Sequence, residues 1–506
     1  MTAQLDTLAE KIESIARKFL PYSGFDGQYI NGDRRPGHAN RKLKDTDPYT
    51  GESVAEIALA DQSDLEAAYQ SALKAQPAWA SRLPAERAEV LGRCADLMEK
   101  RRGEIVDWVI REAGSTRIKA DIEWQMLHAI TLEAASFPHR VAGRVLPINE
   151  PGKESRVYRQ PIGVIAVISP WNFPIYLAQR SVGPAIALGN SVVLKPSQDT
   201  PITGGLLLAK IFEEAGVPEG VLNVVVGASS EIGDAFVKHP VPRLVSFTGS
   251  TAVGRHVADL AVTSPLIKHL ALELGGNTPF VVLDDADLDQ AVPAAVLSRF
   301  LHQGQICMST NRIIVDAKVY DEFLDRFTAH VKTLKVGNPQ DLDTVIGPII
   351  NSKQLANILK LIKETRDAGA RQVLGGDLRD LVLPPHIFAD VTNDMPIAKN
   401  ETFGPIAPVI RARGEDDALR LANDTEYGLS SAVFTRDERR GLRFALGVEA
   451  GMTHINDTSV DDTPTGPFGG EKNSGIGRFG GDWIMEEFKT AHWITVQHAP
   501  RQEERK

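Results

Sequence analysis

Residues 164–195 read VIAVISPWNFPIYLAQRSVGPAIALGNSVVLK, and this stretch decides the fold class. Two short apolar runs, VIAVI and SVVLK, flank a segment long enough to form a helix. Two more apolar runs follow, VLNVVVG at 221–227 and LVSF at 244–247, again with helical stretches between them. Strands that alternate with helices form a parallel sheet covered by helices on both faces. We therefore predict an α/β fold, with a second α/β series from about residue 277 to residue 480.

The segments on either side of the first series have other patterns. Residues 1–140 are predicted to be mostly helical, and one helix has an apolar face made of Leu91, Cys94, Ala95 and Met98. We interpret Cys94 as a small core residue. The runs GRVLPI and SRVYRQP enclose the turn-rich stretch NEPGKE, which predicts a β-hairpin. The tail HWITVQ, at 492–497, predicts one more strand.

Length, composition and charge exclude several classes of protein. The chain has 506 residues, which corresponds to about two to four domains. Its 42% apolar and 24% charged residues are typical of soluble globular proteins, and its net charge of −10 argues against a nucleic-acid partner. Two cysteines provide neither a disulfide framework nor a four-cysteine zinc site, so we expect no metal and a reducing, cytoplasmic setting.

No segment is predicted to enter a membrane or to direct export. Residues 1–20 alternate charged and apolar side chains and lack the unbroken apolar run of a signal peptide. The longest uncharged stretch, residues 161–179, is nominally long enough to span a bilayer. It contains three prolines together with Asn172 and Gln179, so we interpret it as a buried strand followed by a turn.

A phosphate-binding turn is predicted in FTGSTAVG, where Gly249 to Gly254 follow a strand and open a helix. Amides at a helix N-terminus bind phosphate, and glycine lets a ligand approach the backbone closely. An ordinary tight turn between strand and helix is the alternative. The run GIGRFG has the glycine spacing of a dinucleotide fingerprint, but the stretch GGEKNS before it is predicted to be a polar turn and not a strand, so we exclude it.

Three residues form a candidate catalytic set. Cys307 lies in HQGQICMSTNR, Glu273 ends a probable strand in LELGGNTP, and Asn172 lies in the turn SPWNFP. A thiolate nucleophile, a carboxylate that activates water and an amide that binds an oxyanion are sufficient for acyl-enzyme chemistry. The alternatives are an inert buried thiol for Cys307 and a surface carboxylate for Glu273.

The chain resembles the aldehyde dehydrogenase superfamily over residues 25–497, because seven motifs occur in that family's order: SPWNFP, LKPSQDTP, FTGSTAVG, LELGGNTP, GQICMST, ETFGP and PFGGEKNSG. Within the superfamily, RSVGPAIALGNSVVLKPS and the stretch from PFGGEKNSG into IGRFGGDW are most similar to benzaldehyde and vanillin-type aromatic aldehyde dehydrogenases.

This resemblance implies a fold of three parts and an assembly of identical chains. The parts are a Rossmann-like dinucleotide-binding domain (1–141 and 162–274), an α/β catalytic domain (275–480) and a β oligomerisation arm (142–161 and 481–506). Homodimers or homotetramers are the usual states of the family, and the arm provides strand edges that need partners.

The family's mechanism implies a role for each member of the catalytic set. The Cys307 thiolate attacks the aldehyde carbonyl to give a thiohemiacetal, while the Asn172 amide and the Cys307 backbone N–H hold the oxyanion. Hydride transfer to the nicotinamide leaves a thioester. Glu273 then acts as general base on the water that hydrolyses this thioester.

The same resemblance implies a contact set for NAD or NADP, made of Ile168, Pro170, Trp171, Lys195, Gln198, Gly249, Ser250, Gly254, Glu401 and Phe403. Gln198 stands where NAD-specific relatives usually carry glutamate. A neutral amide does not repel the 2′-phosphate of NADP, so we expect both cofactors to be accepted. Asp199, next in the chain, would restore the repulsion if its side chain turned inward.

A substrate-contact set also follows from the resemblance: Phe173, Tyr176, Leu177, Arg180, Ile306, Met308 and Phe468. Its apolar members suit an aromatic ring. Arg180 matches an arginine that binds the substrate carboxylate in semialdehyde dehydrogenases, but benzaldehyde-type relatives carry arginine there too. Pairing of Arg180 with a structural carboxylate is the alternative.

The sequence thus predicts NAD(P)-dependent oxidation of an aromatic aldehyde, with a succinate-semialdehyde-type dehydrogenase as the alternative within the family. A CoA-acylating dehydrogenase is disfavoured because such enzymes usually lack a glutamate at the position of Glu273. A cysteine hydrolase or acyltransferase would not need the cofactor motifs. A non-catalytic structural homologue would not need Cys307, Glu273 and Asn172 together.

Overall fold

The computed structural model describes residues 20–499. The first part of the predicted helical region and the end of the predicted arm, residues 1–19 and 500–506, lie outside the described residues. Two large sheets, each covered by helices, form the body of the protein, which confirms the predicted α/β fold class. The domain boundaries stay a prediction.

The first sheet has eight strands, whose spatial order is Asp33–Arg35, Gln28–Ile30, Leu222–Val224, Ser191–Lys195, Val164–Ile168, Leu244–Thr248, His269–Glu273 and Gly475–Ile476. The five central strands are parallel, and in chain order they are arranged third, second, first, fourth, fifth. The direction of winding therefore reverses between Val164–Ile168 and Leu244–Thr248. Ligands of such sheets bind in the crevice that this reversal opens at the carboxyl ends of the strands.

Alternate side chains of the central strands pack into two different cores. Ile165 and Val167 belong to the core that includes Pro174–Ala187, while Val164 and Ala166 belong to the opposite core with Gln62–Ala80. Both sets are apolar because helices cover both faces of a parallel sheet. The other helices of this half are Pro84–Lys100, Arg102–Ala113, Arg117–Arg140, Leu207–Glu214, Asp234–Lys238 and Thr251–Thr263.

The helical region before residue 140 confirms one expectation and corrects another. Cys94 is fully buried in Pro84–Lys100 on the same face as Leu91 and Met98, as predicted. Sequence analysis missed four short strands, which are Gln28–Ile30, Asp33–Arg35, Lys42–Thr46 and Ser53–Ala58. They are three to six residues long, and two of them have only three residues, which is too short for a clear alternation to be recognised.

The second sheet has seven strands, in the order Arg371–Leu374, His386–Ala389, Ile406–Ala412, Thr310–Asp316, Thr278–Val282, Ala432–Phe434 and His454–Ile455. All neighbours are parallel except the first pair. Its helices are Leu288–Phe300, Tyr320–Val331, Ser352–Asp367, Pro396–Lys399, Glu415–Asn423 and Glu438–Gly447. Cys307 lies in the connection between a helix of this half, Leu288–Phe300, and its strand Thr310–Asp316.

The predicted hairpin and tail strand form a separate three-stranded antiparallel sheet. Arg144–Leu146 pairs with Lys153–Pro161, which pairs in turn with Lys489–Gln497 over nine residue positions. The hairpin is confirmed, and the tail strand begins three residues earlier than predicted. It follows the helix Gly481–Glu487.

The excluded GIGRFG run does not form a dinucleotide-binding turn. The preceding stretch includes a two-residue strand, Glu471–Lys472, which pairs with Tyr427–Gly428 and was predicted as a turn. Gly475–Ile476 then joins the edge of the first sheet, antiparallel to His269–Glu273. A Cβ on Gly475 would lie 2.2 Å from the Leu272 carbonyl oxygen, so this close approach of two strands requires glycine.

Within residues 20–499, no helix combines the length and the apolar character needed to cross a membrane. The uncharged stretch at 161–179 contains the strand Val164–Ile168 and the first turns of the helix Pro174–Ala187. The buried strand is as predicted, and the turn after it is short.

Candidate active site

The predicted site residues lie where the central strands of the first sheet end. Pro170, Trp171 and Asn172 follow Val164–Ile168, whereas Lys195 is the last residue of its own strand. Gly249 and Ser250 follow Leu244–Thr248, and Glu273 ends His269–Glu273. Because the strands are parallel, these positions meet at one edge of the sheet, on both sides of the reversal in strand order.

A cavity of about 550 Å³ occupies this edge. Seven residues of the predicted cofactor set line it, namely Ile168, Pro170, Trp171, Lys195, Gln198, Gly249 and Ser250. The helix Thr251–Thr263 begins at its wall, and the buried Lys195 Nζ donates a hydrogen bond to Ser229 Oγ at 3.2 Å. Desolvation lowers the pKa of Lys195 to about 8. A buried amine beside a helix N-terminus suits an anionic ligand, so this cavity fits a dinucleotide in its size and its donors.

A second cavity, of about 230 Å³, continues from the first and reaches Cys307. Two further predicted cofactor residues, Glu401 and Phe403, line it. Glu401 Oε1 accepts a hydrogen bond from the Gly276 N–H at 2.9 Å, and desolvation raises the pKa of Glu401 to about 7. Phe403 has a φ of 46° and meets Trp171 edge to face at 5.4 Å between ring centroids.

Gly254 is the one predicted cofactor residue that lines neither of these cavities. It lies inside the helix Thr251–Thr263, where a Cβ would be 2.2 Å from Leu274 Cδ2. Its missing side chain lets the helix pack against the residue that follows Glu273. The structure therefore shows a packing role for Gly254, and its contact with the cofactor stays a prediction.

The Cys307 thiol lies between the 230 Å³ cavity and a smaller third cavity. Desolvation, together with the charges of Glu273 and Glu401, raises its pKa to about 12 against the opposing charge of Arg180. The thiol therefore holds its proton at neutral pH and must lose it before the sulfur can act as a nucleophile. Gly276 is required beside it, since a Cβ there would lie 2.2 Å from the Cys307 carbonyl oxygen.

The Glu273 carboxyl group is buried, and neither of its oxygens has a hydrogen-bond partner within residues 20–499. Desolvation raises its pKa to about 8, against the opposing charge of Arg180. A carboxylate with a raised pKa is a stronger base than an exposed one, and titration near neutral pH suits a proton acceptor.

The Asn172 amide is buried, and its Nδ2 donates to the Gln305 carbonyl oxygen at 3.1 Å. An amide nitrogen carries two hydrogens, so one remains for a ligand at Cys307. Asn172 and Cys307 both line the 230 Å³ cavity and the smaller one, so the amide and the thiol border the same space.

The third cavity, of about 40 Å³, is lined by all seven predicted substrate residues: Phe173, Tyr176, Leu177, Arg180, Ile306, Met308 and Phe468. Sequence analysis missed five others, which are Ile122, Met126, Leu301, Val460 and Asp462. Among these five residues, the sequence offers only the spacing of four between Ile122 and Met126. This spacing predicts an apolar helix face, but it does not show that the face lines a cavity. Asp462 stands in a loop with no period at all.

A doubly wound sheet with a dinucleotide-sized cavity at its reversal, continued by a second cavity that reaches a thiol, is the arrangement expected of a dehydrogenase with a cysteine nucleophile. The chain belongs to the aldehyde dehydrogenase family, whose sequence model matches residues 35–494.

Three relatives illustrate this similarity. A vanillin dehydrogenase of Corynebacterium glutamicum is 51% identical over 94% of this chain and 99% of its own length. The crystal structure of an NAD-dependent benzaldehyde dehydrogenase from Corynebacterium glutamicum has 48% identity and a TM-score of 0.89, over 96% of this chain and 100% of that one. A succinate-semialdehyde dehydrogenase from Burkholderia pseudomallei has 37% identity and a TM-score of 0.91, over 93% and 98%.

Replacement of the predicted nucleophile should abolish turnover. We expect Cys307→Ala to lose aldehyde-dependent reduction of NAD or NADP while it keeps its unfolding temperature and its cofactor affinity, because the 550 Å³ cavity does not include the thiol. Cys94→Ala, at the buried cysteine of Pro84–Lys100, is the matched control and should retain activity. Measurable steady-state oxidation by Cys307→Ala would contradict the assignment of the nucleophile.

Removal of the Glu273 carboxylate should slow hydrolysis of the thioester more than its formation. In Glu273→Gln we expect a stoichiometric burst of reduced cofactor, then turnover slower by about 10²- to 10⁴-fold, the usual contribution of a general base. The ionised form is the base, and its pKa is about 8, so wild-type deacylation should rise with pH up to that value. The variant should lose this rise. Stopped-flow kinetics from pH 6 to 9 measure both effects, and a variant with normal turnover and no burst would show that another group activates the water.

Proposed function

We propose that this protein oxidises aromatic aldehydes to carboxylic acids with NAD or NADP. The observation that carries the proposal is the position of Cys307. This residue lines the 230 Å³ cavity, which continues from the dinucleotide-sized cavity, and it also lines the small apolar cavity. Side chains such as Phe173, Leu177 and Phe468 suit an aromatic ring. The names of the relatives support the same class of substrate, since they are a vanillin and a benzaldehyde dehydrogenase at 51% and 48% identity.

In the first step, the Cys307 thiol loses its proton and the sulfur attacks the carbonyl carbon. The Arg180 charge lowers the pKa of this thiol, which favours release of the proton to water. The oxygen of the resulting thiohemiacetal is held by the Asn172 side chain and the Cys307 backbone N–H. Loss of one such donor typically costs about 10²- to 10³-fold in rate.

The second half of the reaction regenerates the thiol. The dinucleotide, when bound, supplies the hydride acceptor that converts the thiohemiacetal into a thioester. Glu273 then removes a proton from the water that attacks the thioester, and the acid leaves as Cys307 recovers its proton. Burial of Glu273 favours this role, because desolvation makes its carboxylate basic.

Use of both cofactors is supported by the side chains at the wall of the 550 Å³ cavity. Gln198 brings a neutral amide to this wall. The neighbouring Asp199 also lines this cavity, and its Oδ1 accepts a hydrogen bond from Asn351 Nδ2 at 2.9 Å, which occupies one of the two carboxylate oxygens. Lys195 supplies the positive charge of the site. The NAD-dependent relative supports NAD as one of the two cofactors.

A succinate-semialdehyde dehydrogenase is the second candidate, because Arg180 lines the small cavity and would attract a carboxylate. The overall fold does not distinguish the two candidate functions, because the TM-score is 0.89 with the benzaldehyde dehydrogenase structure and 0.91 with the succinate-semialdehyde dehydrogenase structure. Identity is higher with the benzaldehyde enzyme, at 48% against 37%. A hydrolase or acyltransferase is disfavoured, because it would leave the 550 Å³ cavity without a ligand.

A steady-state panel distinguishes these candidates. With benzaldehyde, vanillin, succinate semialdehyde and acetaldehyde, each with NAD and with NADP, we expect kcat/KM for the aromatic substrates to exceed that for the semialdehyde by about tenfold or more. Each methylene-sized portion of ring that leaves water contributes about 0.8 kcal/mol. A preference for succinate semialdehyde would support the second candidate instead.

A single substitution tests the cofactor proposal. Gln198→Glu should lower kcat/KM for NADP much more than for NAD, because a carboxylate repels the 2′-phosphate. Dissociation constants for the two dinucleotides, measured without aldehyde, should show the same difference. If the wild-type enzyme already rejects NADP as strongly as the variant does, the role proposed for Gln198 is wrong.

We also propose that the enzyme is a cytoplasmic homodimer or homotetramer that assembles through its three-stranded sheet. Val145 and Trp493 of that sheet are 73% and 64% exposed, and burial of apolar side chains drives association. A reducing compartment would keep the free thiol of Cys307 in the form that reacts.

A further inference from the structure

One cation lies in the wall of the small cavity beside Cys307. Arg180 projects from the helix Pro174–Ala187, and its side chain is only 2% exposed. The guanidinium lies over Phe468 at 4.3 Å and over Phe479 at 4.7 Å from the ring centroids. Its Nε and Nη1 atoms have no hydrogen-bond partner within residues 20–499. A guanidinium with unused donors in a desolvated cavity would bind a carboxylate strongly.

A buried carboxylate faces the same cation. Asp462 Oδ2 lies 3.7 Å from Arg180 Nη1, and the Asp462 side chain is 5% exposed. The Tyr176 hydroxyl donates a hydrogen bond to the same oxygen, which fixes the carboxylate at the cavity wall. Desolvation raises the pKa of Asp462 to about 6, and Arg180 and Tyr176 oppose that shift, so the group is mostly ionised at neutral pH.

We propose that Asp462 is a specificity-determining residue, which neutralises Arg180 and thereby makes the cavity select uncharged aldehydes over aldehydes that carry a carboxylate. This inference rests on the proposed aldehyde oxidation at Cys307. A carboxylate that enters the cavity gains the Arg180 charge but meets the Asp462 charge beside it, and it loses its own water. An uncharged ring meets no repulsion from Asp462 and loses no hydration of a charge, and it packs on the apolar wall.

The geometry explains how Arg180 can line the cavity without binding anionic substrates. The Asp462 carboxylate is held by Tyr176, so an incoming anion cannot displace it without leaving a buried charge without its partner. Discrimination of this kind comes from a repulsive element placed against the unwanted ligand. Asp461, the next residue towards the N-terminus, has a much more exposed side chain and does not line the cavity, so it provides a matched control.

The test uses two aldehydes that differ in one charge. Succinate semialdehyde and butanal have the same chain length, and a methyl group replaces the carboxylate in butanal. For the wild-type enzyme we expect kcat/KM to be no higher for the semialdehyde than for butanal. Asp462→Asn should raise the ratio of the two values by about 10- to 100-fold, which corresponds to one charge-assisted hydrogen bond. The gain should appear mainly in KM, because the carboxylate binds away from the reacting carbon.

Two further variants show whether the effect acts through Arg180. Asp461→Asn removes a neighbouring charge and should leave the ratio unchanged. The double variant Asp462→Asn with Arg180→Met should lose the gain, because no cation remains in the lining of the cavity. Unfolding temperatures and NAD affinities of all variants show whether each protein is folded.

Three results would overturn a proposal, and each identifies which one. A folded Asp462→Asn that oxidises benzaldehyde with an unchanged ratio would overturn the role of Asp462. A wild-type enzyme that prefers the semialdehyde to butanal by more than tenfold would overturn it without any variant, so the test stands even if Asp462→Asn does not fold. A wild-type enzyme that oxidises none of these aldehydes would overturn the proposed function, and the inference with it.

Discussion

The site depends on one constraint, the parallel pairing of Val164–Ile168 with Leu244–Thr248 at the point where the sheet changes its direction of winding. Helices that return on opposite faces leave a crevice beyond the carboxyl ends of these two strands. Ile168 is opposite Phe247 in the register, so the loops that carry Asn172 and Gly249 start side by side. A ligand of the large cavity therefore contacts the ends of these two strands, together with Lys195 at the end of the adjacent strand.

Desolvation is the second factor that shapes the chemistry. The same burial raises the pKa of Cys307 to about 12 and that of Glu273 to about 8. A thiol that holds its proton is protected from adventitious reaction, and a carboxylate that readily takes a proton can activate the water molecule that hydrolyses the thioester. Arg180 moderates both shifts, since its charge lowers the pKa of each group. The proposed neutralisation of the Arg180 charge by Asp462 therefore affects the chemistry at Cys307 and Glu273 as well as the selectivity for substrates.

Three glycines at or near the site allow close approaches that any side chain would block. Gly276 permits the Cys307 carbonyl to approach, and Gly475 permits an edge strand to approach Leu272. Gly254 does the same for a helix against Leu274, although its motif had suggested a contact with the cofactor. A glycine in a motif can therefore serve the ligand or the packing behind it, and the sequence does not distinguish these roles.

The sequence alone determined the alternation of strands and helices, the hairpin, the burial of Cys94 and the residue types of the catalytic set, because these depend on local periodicity and on short motifs. Only the tertiary structure decided that the substrate residues share one cavity and that Asp462 faces Arg180. Tyr176 and Asp462 are 286 residues apart, and no local pattern encodes such a contact. The short strands before residue 60 were missed for a related reason, since their pairing partners, and not their own composition, hold them in sheets.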